Sequence, residues 1–61
     1  MRKQYRNYMV EIHVYDEETD TFFPEYVACG GYSCENAIKH AKEVLKMQGY
    51  EQMYAIECAL S

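Results

Sequence analysis

Residues 33–49, SCENAIKHAKEVLKMQG, read as one amphipathic helix, and its position between two alternating segments decides the fold. Ser33 stands where an N-cap hydroxyl accepts from the free amides of a first turn, and Glu35 places negative charge at the positive end of the helix dipole. Cys34, Ala37, Ile38, Ala41, Val44 and Leu45 recur at spacings of three and four and form the apolar side, while Lys39, Lys42, Glu43 and Lys46 take the opposite one. Glu35 and Lys39 form a supportive i, i+4 pair. Lys46 suits the negative C-terminal end, and Gly49 supplies the left-handed stop beyond the last turn.

Upstream of the helix, residues 8–15 alternate. Tyr8, Val10, Ile12 and Val14 share one side, and Met9, Glu11, His13 and Tyr15 share the other, which is the pattern of a strand with one apolar face. The acidic stretch Asp16, Glu17, Glu18, Thr19, Asp20 ends that strand and turns the chain into a second one over residues 21–29. Pro24 lacks an amide donor, which places the second strand at a sheet edge or puts a bulge there. Gly30 and Gly31 are expected to break it. After Gly49, residues 52–60 alternate again, with Tyr54, Ile56, Cys58 and Leu60 on one side and Met53, Ala55, Glu57 and Ala59 on the other.

A hairpin followed by a helical crossover returns the third strand parallel to the second, so it pairs antiparallel with the first. The expected fold is α+β: a single domain over residues 1–61, two-layer β-β-α-β, with a three-stranded antiparallel sheet in order 2-1-3 and one helix packed on one face. Residues 1–7 read either as a flexible segment or as an extension of the first strand. The helix covers one face only. The other is expected to present Met9, His13, Tyr15, Tyr26, Met53 and Ala55, with Phe22 and Ala28 beside them, unless residues 1–7 fold across it. Such an apolar surface marks an interface, and the expected partner is a second copy in a homo-oligomer, most simply a dimer.

Composition narrows the function classes. A chain of 61 residues buries only about 60% of its unfolded surface, yet 49% hydrophobic residues exclude disorder. Three cysteines cannot complete an internal disulfide set, which points to a reducing compartment and a cytoplasmic location, a Cys29–Cys34 or interchain bridge being the alternative. Cys29, Cys34, Cys58 and His40 lack paired metal-ligand spacing, so neither metal nor cofactor is expected. Six basic residues against ten acidic give a net charge of −4, which argues against nucleic acid as a partner. No run long enough to span a membrane or serve as a signal peptide is present, so no membrane association is expected.

Catalytic signatures are missing: no phosphate-binding loop, nucleophile elbow or zinc-protease motif occurs, and the chain reads as a non-enzyme. Gly30, Gly31 and Ser33 before a helix form a candidate site for a small anionic ligand, although any strand-to-helix turn uses the same residues. His13 between Glu11 and Tyr15 is a candidate acid–base group with nothing converging on it. Asp16, Glu17, Glu18 and Asp20 are a candidate surface for a basic partner or simply a solvated turn. Seven tyrosines supply stiff, amphipathic contact area suited to protein interfaces, and equally to a nucleotide held between subunits.

Phe23, Pro24, Glu25 and Cys29, followed by Gly30, Gly31, Ser33, Glu35, Ala37, Ala41 and Leu45, resemble the strand-to-helix passage of HicB-type antitoxins. The resemblance spans residues 23–45. It implies a small antitoxin that blocks a partner RNase; the family's glycine-rich first hairpin and C-terminal DNA-binding region have no counterpart in this sequence. The residues themselves point to a small binding protein of viral or bacterial regulator type that inhibits or sequesters a protein target through its open sheet face.

Overall fold

The computed structural model describes residues 4–61. β1 (Arg6–Asp16) and β2 (Thr21–Gly31) form a hairpin, α1 (Cys34–Met47) crosses over, and β3 (Met53–Leu60) completes the sheet. Both pairings are antiparallel and the strand order is β2-β1-β3, so the expected two-layer α+β architecture is the one observed.

The core lies between β1 and α1. Tyr8, Val10, Ile12 and Val14 of the central strand and Ala37, Ala41 and Leu45 of the helix are buried, and Val10, Ile12 and Val14 are 0% exposed. Each such aliphatic side chain contributes about 2 kcal/mol by leaving water. Phe23, Val27, Cys29, Ile38, Tyr50, Met53, Ala55 and Cys58 pack around this centre. Val44 and Cys34, expected on the buried side of the helix, are exposed, because a single helix on a narrow sheet buries only the middle of its stripe.

The caps behave as their residues dictate. The Asn36 amide donates to Ser33 Oγ at 3.1 Å, and Gly49 adopts φ +104 after the last turn. In the hairpin loop the Glu18 amide donates to Asp16 Oδ1 at 3.0 Å, and Asp20 enters the left-handed region at φ 54.

Two expectations are corrected, and the start of β1 is set. Gly30 and Gly31 do not end β2; they are strand residues opposite Asn7 and Arg6. Their missing side chains serve close approach: a Cβ on Gly31 would lie 2.8 Å from the Ala37 backbone nitrogen, and one on Gly30 would meet the Tyr5 ring. The segment before Tyr8 extends β1 at Arg6 and Asn7, while residues 1–3 lie outside the described residues. Finally, Met53 and Ala55 face the helix. Glu11 is opposite Glu57 and Ile12 opposite Ala55, so Ile56 is an extra residue at a β-bulge. The bulge inverts the alternation, which puts Met53 and Ala55 before it and Cys58 and Leu60 after it on one side.

Gly31→Ala is expected to lower stability by about 2 kcal/mol, since the added carbon meets backbone that cannot yield without moving the helix. Gly30→Ala is expected to cost less, because an exposed tyrosine ring can swing aside. Urea unfolding of both variants checks this, and equal losses would contradict it.

Candidate functional site: the open sheet face

Among the described residues, the face away from α1 has no second layer over it. Register assigns to it Met9, Glu11, His13 and Tyr15 from β1, Phe22, Pro24, Tyr26 and Ala28 from β2, and Tyr54, Glu57 and Ala59 from β3. Met9, Tyr26, Phe22 and Tyr54 are among the exposed large side chains, and Tyr26 reaches 64% exposure.

At the hairpin end the aromatic rings form a continuous group. Tyr15 and Phe22 lie 5.3 Å apart between centroids, Phe22 and Tyr54 5.2 Å, and His13 and Tyr54 5.6 Å, all tilted. A second pair, Tyr5 and Tyr32, stacks edge-on at 5.1 Å, with Tyr5 lying over Gly30. Of the segment expected to fold across this face, Tyr5 thus covers one end.

Carboxylates accompany the rings. Glu11 and Glu57 are directly opposite in register, an arrangement that is unfavourable for like charges. His13 Nε2 is 2.9 Å from Glu11 Oε2, and because a carboxylate only accepts, that nitrogen carries the hydrogen. The Tyr15 hydroxyl donates to Asp20 Oδ1, which holds the phenol protonated and its pKa above the ordinary tyrosine value. Among the described residues no lysine or arginine is assigned to this face. Beyond its hairpin end an open cleft of about 390 Å³ lies between the β1–β2 turn and the loop after α1, lined by Tyr15, Asp16, Glu17, Glu18, Tyr50 and Glu51 among others.

Of the six side chains expected on the open face, the fold brings together Met9, His13, Tyr15 and Tyr26 and removes Met53 and Ala55. Tyr54 takes their place, and Glu57 adds its charge. Asp16, Glu17, Glu18 and Asp20 lie at one end of this surface. Around Gly30, Gly31 and Ser33, the Asn36 amide donates to Ser33 Oγ, the Ala37 amide makes the first helical bond, to Ser33 O at 2.9 Å, and the Tyr32 amide donates to Asn36 Oδ1 at 3.0 Å.

The three cysteines are free thiols. Cys29 donates to Ala37 O at 3.0 Å, and Cys34 lies against Cys58, its Sγ 3.4 Å from the Cys58 carbonyl, instead of across the turn from Cys29. His40, read from the sequence as a solvated flank residue, is half-buried and donates from Nδ1 to Gly30 O at 2.9 Å, tying the helix to β2. Among the described residues no group of His, Cys, Asp and Glu is arranged to hold a metal ion, and no helix is long and apolar enough to cross a membrane. No protein family, curated protein or solved structure matches the chain.

Burial, together with the neighbouring Cys34 thiol, pushes the Cys58 thiol up to about 12. The unfolded chain releases this proton near pH 9 and the folded chain retains it, so stability is complete below about pH 9 and declines as pH rises toward 12. Thermal unfolding between pH 8 and 11 is expected to show this decline, with a smaller slope in Cys58→Ala. Alkylation of the folded protein near pH 8.5 is expected to spare Cys58.

Proposed function

We propose that the protein is a non-enzymatic binding module whose open sheet face engages a basic surface on a protein target, inhibiting or sequestering it. The observation that carries this reading is the union, on one uncovered face, of the aromatic group Tyr15, Phe22 and Tyr54 with the opposed carboxylates Glu11 and Glu57. Aromatic rings provide rigid anchors that lose little entropy on binding, and they attract guanidinium and ammonium groups through their faces. The carboxylates and the acidic turn at the end of the same surface add a field of one sign that speeds encounter with a cationic partner. Face-to-face contact between two copies would set Glu11 and Glu57 against their own counterparts, so charge favours a different, basic molecule here.

A small basic RNase, the partner implied by the resemblance to HicB-type antitoxins, has the chemistry this face would recognise. Capture from the native host followed by purification of the complex tests the proposal. The target is expected to be basic, its affinity to fall as salt rises, and Phe22→Ser to weaken it about 30-fold, the effect of losing one central anchor. An acidic target, or binding indifferent to both Phe22→Ser and Glu57→Lys, would overturn the proposal.

A further inference from the structure

The two edges of the sheet are not equivalent. In an antiparallel ladder alternate residues direct both backbone groups toward one neighbour, and the residues between them direct theirs the other way. Gln52 O accepts from the Tyr15 amide at 3.0 Å, and the Ser61 amide donates to Asn7 O at 3.1 Å, which sets the phase along β3. Tyr54, Glu57 and Ala59 therefore address β1, and Met53, Ala55, Cys58 and Leu60 address the free edge. On β2 the same phase leaves Phe22, Pro24, Tyr26, Ala28 and Gly30 outward. There Pro24 has no donor to offer, and the Gly30 carbonyl already accepts from His40. The β2 edge is thereby blunted, whereas β3 has no proline on its outward phase, and its Cys58 carbonyl, 3.4 Å from the Cys34 thiol, takes only a weak sulfur donor and keeps a second lone pair free.

The bulge restricts what pairs with the β3 edge. A regular strand offers outward groups at every second residue, and it loses step where β3 passes from Ala55 to Cys58. A second copy has the same interruption. Run antiparallel about a two-fold axis between Ile56 and Glu57, Met53 faces the partner's Leu60 and Ala55 faces the partner's Cys58, and the axis repeats both contacts. Each of these pairs then joins two outward-directed residues and exchanges two hydrogen bonds. Tyr54 lies opposite the partner's Ala59, and Glu57 lies opposite the partner's Ile56, so no like charges are directly opposed. Ile56 and Leu60, 48% and 56% exposed in the single chain, gain neighbours.

We infer that the β3 edge joins two copies of this chain into one continuous six-stranded sheet, in the register centred between Ile56 and Glu57. Both helices then lie on one side and both open faces on the other. The inference concerns the edge and does not depend on what the open face binds.

Sedimentation velocity at high micromolar concentration, combined with residue-resolved amide exchange, tests it on the unaltered protein. The expected result is a two-chain species in which the Ala55 and Cys58 amides exchange slowly and quicken on dilution, while the outward Tyr26 and Ala28 amides exchange rapidly throughout. Ala55→Pro removes an outward donor without touching the ladder to β1 and is expected to give a folded monomer, whereas Phe22→Ser is expected to leave the dimer intact. A monomer at high concentration, or a dimer whose Ala55 and Cys58 amides exchange freely, would overturn the inference. Should Ala55→Pro fail to fold, exchange in the unaltered protein decides.

Discussion

One helix shields one face of one sheet, and most of what is distinctive in this structure follows from that shortage of cover. The central strand contributes Val10, Ile12 and Val14 to a dry interior, and only α1 is available to exclude water from them. Close approach substitutes for bulk. Ala37 and Ala41 present the smallest helical surface, Gly31 removes the side chain that would collide with Ala37, and the Cys29 thiol and His40 ring each bond a backbone carbonyl across the helix–strand gap. These contacts all lie toward β2, and the helix packs most extensively there. β3 is left with the thinner covering, seen in the exposure of Ile56 and Leu60.

The sequence shows this architecture wherever local chemistry and tertiary demand agree. Ser33 and Gly49 bound the helix because a cap hydroxyl and a left-handed residue are local requirements, and Pro24 marks an edge because its missing donor is a property of the residue. On β2 the donorless Pro24 falls on the outward phase, so the ladder to β1 loses nothing. The sides of β3 are not legible in the same way. MYAIECAL alternates plausibly in either phase, and no glycine or proline announces the bulge. It becomes visible only when Glu57 and Ala55 are found opposite consecutive residues of β1. For this reason the place of Tyr54 on the open face is not legible in the sequence, while those of Met9, His13, Tyr15 and Tyr26, on uninterrupted strands, are. The two glycines illustrate the complementary ambiguity: glycine signals both turns and close packing, and only the position of Ala37 and Tyr5 distinguishes them.

The open face retains an electrostatic tension that the fold does not relieve. Glu11 and Glu57 oppose one another, and His13 hydrogen-bonds only the first. In water the repulsion of two unit charges at 4 Å is about 1 kcal/mol, small enough for a domain to tolerate while solvent screens it. Covering the face raises the cost, because the same charges in a drier environment repel more strongly and lose hydration. An apolar partner would incur that cost in full. A partner bearing a cation would reverse its sign, and the adjoining rings offer such a group a favourable surface on which to settle.

Edge pairing and face binding are compatible because the bulge separates their demands. Along β3 the residues that address the free edge, Met53, Ala55, Cys58 and Leu60, have their side chains on the helix side of the sheet, the first three packed against the core, whereas Tyr54, Glu57 and Ala59, which address β1, display theirs on the open face. Joining two copies at the edge therefore consumes backbone groups and helix-side surface and leaves the aromatic and acidic surface uncovered. The two-fold axis instead places two such surfaces side by side on one sheet. A target with two basic patches at matching separation would bind the second copy at the high effective concentration created by the first, so weak individual contacts would combine into durable capture. For a domain of 61 residues with a thin core, pairing also shelters the least covered strand. In the proposed pairing, stability and binding strength would thus draw on the same edge, through a residue, Ile56, whose only peculiarity is that it has no partner on β1.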